Sequence, residues 1–185
     1  MTQDKRPGTL VKFLIFLFFL IVAFLVYSFA IGRQPPVGEG EVTVVTALTG
    51  GEKIYHTGER PFVFPFIQKS YMLRTGAMVV SLVDDEGMSL PKKGKKETRI
   101  ESRVTYKIDD VQKALNSFGL KDTHREIRRR IKEAVARSLK DKVTGIETID
   151  KAEKRIPLIA DIHIGLIETF KKDGLKILSY QIRFR

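Results

Sequence analysis

The sequence has no cysteine, no tryptophan and only three histidines among its 185 residues. Without cysteine neither a disulfide framework nor a thiolate metal site can form, which suits an exported domain without proving export. His56, His124 and His163 are scattered over a hairpin, a helix start and a helix interior, and no His-Glu-x-x-His pattern is present. Asp161 and His163 stand two apart on a predicted helix, roughly 200° around its axis, and cannot grip one ion. Asp84, Asp85 and Glu86 are consecutive rather than alternating, which suits a solvated turn and not a calcium loop. There is no Gly-x-Ser-x-Gly elbow, and Thr49-Gly50-Gly51-Glu52-Lys53 lacks the spacing and hydroxyl of a phosphate-binding loop. Nothing here makes an active site, so the chain reads as a non-enzyme with no cofactor and no metal.

Negative charge is also short, with 22 Asp and Glu against 33 Lys and Arg and a net charge of +11. The tail and the apolar segment behind it contribute +3 (Lys5, Arg6, Lys12 and Arg33 against Asp4), leaving +8 on the remainder. Such a surface fits nucleic acid, anionic lipid headgroups or an acidic partner. The topology argued next places it on the side without nucleic acid, so lipid and protein partners are expected.

What the chain does have is an uncharged apolar run from Phe13 to Ile31. At about 1.5 Å per residue it makes a helix close to the ~30 Å hydrocarbon core of a bilayer. Phe13, Phe16, Phe19, Phe24 and Ile31 are its anchoring side chains. Lys5, Arg6 and Lys12 precede it and only Arg33 follows closely, which predicts a cytoplasmic N-terminus and everything after Arg33 on the far side. The location expected is an inner (plasma) membrane, single-pass, with the domain periplasmic or extracytoplasmic. The competing reading is a cleaved signal, for which Ser28-Phe29-Ala30 resembles a cleavage site. Against it, the run exceeds the usual h-region and apolar character continues through Phe29 and Ile31.

Two segments are expected: a tail and anchor over 1–33 and one domain over 34–185, large enough for its own core. Gln34-Pro35-Pro36-Val37-Gly38 reads as a short stiff linker. Glu41 to Leu48, a Thr49–Glu52 turn and Lys53 to His56 make a hairpin. Pro65 marks Phe62-Val63-Phe64-Pro65-Phe66-Ile67 as an edge or irregular segment. Tyr71–Leu73 and Ala77–Val83 are short strands. In Thr98–Ile108 the residues Ile100, Ser102, Val104, Tyr106 and Ile108 share one face, a half-buried strand.

The period then turns helical. Thr123 and Glu126 form a capping box, and Ile127, Ile131, Ala134, Val135, Ser138 and Leu139 a stripe on a helix to Lys142. A short helical piece over 150–155 precedes a new helix begun by Pro157. That helix points Leu158, Ile159, Ile162, Leu166, Ile167 and Phe170 inward and ends at a left-handed Gly174. Leu175–Phe184 closes the domain with Leu178, Tyr180, Ile182 and Phe184 on one face. Strands first, helices later and a closing strand make an α+β fold.

The Lys92–Lys96 cluster reads as an exposed hairpin tip, with contact to lipid headgroups or a partner as its functional reading. Phe62, Phe64 and Phe66 read either as core or as an apolar wedge dipping into the bilayer.

A resemblance gathers these features. The apolar helix is followed by Gly38-Glu39-Gly40-Glu41-Val42, a hairpin, and Thr57-Gly58-Glu59-Arg60-Pro61-Phe62-Val63-Phe64-Pro65-Phe66-Ile67. Leu73-Arg74-Thr75, Val104-Thr105-Tyr106-Lys107-Ile108-Asp109-Asp110, a basic Ile/Val-striped helix and Gly174-Leu175-Lys176-Ile177-Leu178 complete the order. From about Gly38 to Phe184 this resembles the stomatin/prohibitin/flotillin/HflK-HflC (SPFH, band 7) family. The aromatic segment is similar to the family's Pro-Gly-x-His-Phe-x-x-Pro-Phe-Ile signature, with Thr57 where proline is common and Arg60-Pro61 departing from the usual pair. Lys95 to Ser102 looks most like the HflC-type protease modulators.

The resemblance implies an SPFH domain acting as a non-catalytic scaffold. It would form homo- or hetero-oligomers with other SPFH domains on membrane lipids, and regulate or enclose a membrane protease of the FtsH type. Two candidate lateral surfaces follow, Arg99, Glu101 and Arg103 on the strand and Arg125, Arg128, Arg129 and Lys132 on the helix, whose charges would orient neighbours. The alternative is a regulatory or structural accessory subunit that does not self-assemble. The family's long C-terminal coiled coil does not appear before Arg185, so the chain reads as a truncated or minimal member, or one that packs through its domain alone.

Overall fold

The computed structural model describes residues 8–82, 89–90, 98–142 and 152–184. The elements follow in the order α1 (Thr9–Gly32), β1 (Glu41–Ala47), β2 (Glu52–Tyr55), β3 (Gln68–Arg74), β4 (Met78–Leu82), β5 (Ser89–Leu90) and β6 (Thr98–Ile108). After these come α2 (Val111–Phe118), α3 (Thr123–Lys142), α4 (Ala152–Lys171) and β7 (Leu175–Phe184), so the fold is α+β with one apolar helix in front. The chain divides into two compact units, Met1–Leu73 and Arg74–Arg185. The Asp84–Gly87 turn, the Lys92–Lys96 cluster, Thr144-Gly145 and the tail cations Lys5 and Arg6 lie outside the described residues.

In the first unit α1 precedes a three-stranded sheet of order β2-β1-β3. β1 and β2 form the expected hairpin, Val44 opposite Ile54 and Val45 opposite Lys53. Gly50 and Gly51 make its turn with φ of 89° and 97°, a backbone that side chains resist. β1 is the central strand, and Val42, Thr43, Val44 and Val45 are buried in succession.

The second unit is built on β6, which pairs antiparallel with β4 and β5 on one side and with β7 on the other. Its alternation is as the sequence dictates, with Ile100, Ser102, Val104, Tyr106 and Ile108 buried. The helices cover this sheet: α4 packs on β7, and α3 packs on α4 and α2 and reaches β4. Ile127, Ile131, Val135 and Leu139 supply the α3 side of the core, and Leu158, Ile162, Leu166 and Phe170 the α4 side. Gly174 takes the expected left-handed conformation (φ 77°). Its carbonyl accepts the Asp109 and Asp110 amides at 2.9 and 3.0 Å, tying the α4–β7 corner to the start of α2.

Several local expectations are corrected. The Thr123–Glu126 capping box does not form: the Thr123 hydroxyl donates back to Gly119 and Leu120 carbonyls, and Glu126 is occupied by Arg129 and Arg130. Pro157 lies inside α4 rather than opening a helix. It stands near the N-terminal end and is exposed, so the Glu153 carbonyl it leaves unbonded has access to water. Ile167 is 37% exposed and Ile159 only half-buried. On β7 a bulge opposite Thr105/Tyr106 shifts the phase, so that Leu175, Ile177 and Tyr180 are buried while Leu178 is exposed. α2, absent from the sequence reading, is an eight-residue helix capped by Asp110, whose carboxylate accepts the Lys113 amide at 3.0 Å.

Candidate membrane-facing site and charged surfaces

Leu10–Gly32 is long and apolar enough to cross a membrane and exposes apolar side chains along its length. Phe13, Phe16 and Phe19 are more than three-fifths exposed. Phe24, Ser28 and Gly32 recur every four residues and therefore share a face. Against the C-terminal half of the helix lies the segment around Pro65. Phe29 meets Phe62 at a centroid distance of 5.3 Å, and Phe62 meets Phe64 edge-on at 6.2 Å. Phe24 contacts both Phe64 and Phe66 at 6.4 Å, stacking on the latter at 24° between planes.

Glycine at position 32 is what permits the approach. A Cβ there would stand 2.7 Å from the Val63 carbonyl oxygen and 2.8 Å from the Phe62 ring, closer than any real contact. The backbone is stitched as well. The Val63 amide donates to Gly32 at 2.8 Å, Gln34 to Pro61 at 3.0 Å, Val37 to Glu59 at 2.9 Å and Gly58 to Val37 at 2.9 Å. The proline linker is therefore no free tether, because residues 32–37 run hydrogen-bonded along residues 58–63. Beyond the stitch the chain turns at Phe66, the one described non-glycine residue with positive φ (69°). The Gln68 side chain accepts the Phe64 amide at 2.7 Å and the Gln68 amide returns to the Phe64 carbonyl at 3.1 Å, closing the turn. Phe62 and Phe64 are half-buried, and Phe66 is 76% exposed with Ile67 beside it at 50%. The Arg33 guanidinium sits over the Phe29 ring at 5.6 Å, a cation at the helix exit.

The charged surfaces are in the second unit. On α3, Arg125 pairs with Asp122 at 2.9 Å, and Arg129 is shared between Glu126 and Glu133. Arg130 bonds Glu126 and the Ser117 carbonyl, both at 3.0 Å, with its guanidinium over the Phe118 ring. The Arg129 and Arg130 hydrogen bonds hold the Glu126 carboxyl down at about 2. Arg125, Arg128, Arg129 and Lys132, with Val79, Val80 and Ser81 of β4, line an open groove of about 550 Å³. Glu101 and Arg103 are not among the described residues that line it. Arg99 pairs in register with Ser89, and Glu101 and Arg103 stand opposite Arg183 and Gln181 on the sheet face away from Ile100 and Val104. Arg103 also stands opposite Ser81 of β4, which lines the groove.

His124, half-buried at the head of α3, has no hydrogen-bond partner on either ring nitrogen among the described residues. Burial first, then the positive charges of Arg128 and Arg74, push its pKa below the ordinary imidazole value. Among the described residues no three His, Asp or Glu side chains gather as a metal site.

The sequence reading missed Ser28, Phe29 and Gly32 as contact residues. The available signal was Ser28 and Gly32, two small residues four apart on one face of the helix, the spacing that lets another backbone approach a membrane helix. Residues 36–184 match the family model described as SPFH domain / Band 7 family. A search of curated proteins returns no match to the chain.

Proposed function

The chain belongs to the SPFH domain / Band 7 family, and from that premise we propose that it is a non-catalytic scaffold that oligomerises on a membrane surface and organises or regulates membrane proteins, a membrane protease of the FtsH type among them. The family's domain behind an apolar helix supports a membrane-anchored protein, with an anchor over 1–33 and an SPFH domain over 34–185. Lys5, Arg6 and Lys12 favour a cytoplasmic N-terminus and a domain on the extracytoplasmic side of the inner membrane, the arrangement of the HflC-type members.

The observation that carries the reading is the stack of Phe66 on Phe24. Phe24 precedes the end of α1 by eight residues, about 12 Å along a helix. If α1 spans the bilayer, the Phe62–Phe66 segment enters the hydrocarbon with it, and the exposed Phe66 and Ile67 face lipid. The turn's backbone is suited to that, since Phe64 and Gln68 satisfy each other's polar groups. Anchor and wedge together would fix each copy's height and rotation at the surface, a precondition for a regular array.

The natural absence of tryptophan supplies the test. Phe66→Trp in the full chain reconstituted into liposomes introduces a single indole. Blue-shifted emission, quenched by bromines on the lipid acyl chains, is the expected result. Emission at the wavelength of a water-exposed indole, quenched by acrylamide instead, overturns the wedge. Native mass in mild detergent tests the scaffold, for which a discrete high-order species is expected.

A second reading is supported by the groove along β4. Its basic lining and the edge strand beside it suit an acidic extended segment of another protein, making the chain a regulatory or structural accessory subunit. A monomer that co-purifies with one membrane protein would favour this reading over the scaffold.

A further inference from the structure

α4 carries a second apolar stripe that the core does not use. Leu158, Ile162, Leu166 and Phe170 face the sheet, whereas Ile156, Ile164 and Ile167 are 69, 54 and 37% exposed, with Ala160 exposed between them. At 100° per residue these four fall within about 80° of one another on the side opposite the core stripe. Glu153 and Lys171, both exposed, end the stripe on the same meridian. A helix apolar on two faces has two packing partners to satisfy, and the fold supplies one.

The order along the stripe identifies the other. Read backwards about position 162, Glu153 falls on Lys171, Ala160 on Ile164, and Ile156 within one residue of Ile167. Two copies laid antiparallel therefore set carboxylate against ammonium at both ends and a large side chain against a small one at the centre. Laid parallel, they would oppose Glu153 to Glu153 and Lys171 to Lys171, and leave a gap between facing Ala160 methyls. A lipid-facing helix would be bordered by cations, whereas this stripe carries Glu153 and Glu168 as well as Lys171.

We infer that α4 is a self-association seam through which two copies of this chain pair antiparallel about a two-fold axis. The interface is self-complementary, as a two-fold contact must be. One helix face buries less than the ~1,200 Å² of a stable complex, so the contact is weak in solution. Confinement of both partners to one membrane raises their effective concentration and makes it count. The inference rests on the scaffold reading and gives it a contact.

The cysteine-free sequence allows a geometric test on the full chain in membranes. Ile156→Cys and Ile167→Cys variants are oxidised separately and as a mixture. Antiparallel pairing separates identical positions by roughly 15–18 Å along the helix, beyond the ~7 Å Cα reach of a disulfide. It brings 156 of one copy beside 167 of the other. At least about tenfold more disulfide dimer in the mixture than in either variant alone is expected. Adding Ile164→Lys to both should remove most of it while leaving the thermal unfolding midpoint in detergent unchanged. Dimer formation by Ile156→Cys alone overturns the antiparallel seam. No dimer from a mixture that still runs as a large native species overturns α4 as the contact and leaves the scaffold standing. No dimer from a chain that is monomeric in native membranes overturns both.

Discussion

Phe66 stacks on Phe24 with ring centroids 6.4 Å apart and planes 24° from parallel, joining a loop to the middle of an apolar helix 42 residues earlier in the chain. The pair holds because the intervening backbone is hydrogen-bonded from Gly32 to Val63 and onward, so the rings meet without relying on their own modest attraction. The anchor helix is thus part of the folded unit.

Gly32→Val should separate the two. Its new side chain occupies the space of the Phe62 ring and the Val63 carbonyl, and the overpacking costs about 1–3 kcal/mol. In a Phe66→Trp background, most of the quenching by brominated acyl chains should disappear. Quenching that survives Gly32→Val unchanged would show that the aromatic segment reaches lipid independently of the anchor.

The two stripes of α3 and α4 give a contrast between equal substitutions. Ile131 is fully buried and Ile164 is 54% exposed. Ile131→Ala should destabilise the domain by about 2–5 kcal/mol. Ile164→Ala in dilute detergent should stay within about 0.5 kcal/mol. Thermal unfolding read by circular dichroism distinguishes them, and equal losses would place Ile164 in the core.

β6 was legible because both physical signals agree there: strict alternation from Ile100 to Ile108 and an interior position that exposes one face only. α3 was legible because Ile127, Ile131, Val135 and Leu139 recur at helical spacing and are all buried. β7 was half legible. Its bulge opposite Thr105 and Tyr106 reverses the inward face midway, and a two-residue period assumes no such insertion. The spacing of Val111, Ala114, Leu115 and Phe118 behind Asp110 did signal α2, but eight residues are too few to stand out against the neighbouring helix. For α4 the isoleucines outnumber the places in the core: the periodicity left Ile164 outside, as it is, but also pointed inward Ile167, which is exposed, and Ile159, which is half-buried. The Ser28–Gly32 spacing marks a face of α1 that another backbone could approach, but which segment does so depends on the backbone that pairs with the Pro35-Pro36 linker.

Gly174→Ala tests the corner that joins α4, β7 and α2. A Cβ at this position runs into the Asp110 carbonyl oxygen and comes within 2.9 Å of the Lys113 Cβ, at a φ of +77°. The strained backbone alone costs about 1–3 kcal/mol, and the collision forces α2 away as well. The urea midpoint should fall accordingly. Asn, which tolerates this conformation but carries the same Cβ, should rescue little, whereas full rescue by Asn would mean that backbone strain and not the clash is limiting.

The pH dependence of stability should show two steps. Burial and the Arg128 and Arg74 charges depress the His124 pKa below its ordinary value of 6.5. The unfolded chain therefore takes up this proton first as pH falls. The contribution is intact above 6.5 and is lost as pH drops from there through the folded value. Glu126 is depressed from 4.5 to about 2 by Arg129 and Arg130, so its contribution is intact above 4.5 and is lost as pH falls through 2. His124→Gln should flatten the upper step in the urea midpoint and leave the lower one. Glu126→Gln should leave the upper step and reduce the lower one, which Asp109 and Asp110, held low by hydrogen bonds from Lys107 and Lys113, share. Because Glu126 is solvent-accessible, its step should shrink further with added salt. A midpoint that does not move between about pH 7.5 and pH 5 in the unmutated chain would show that His124 is protonated equally in both states.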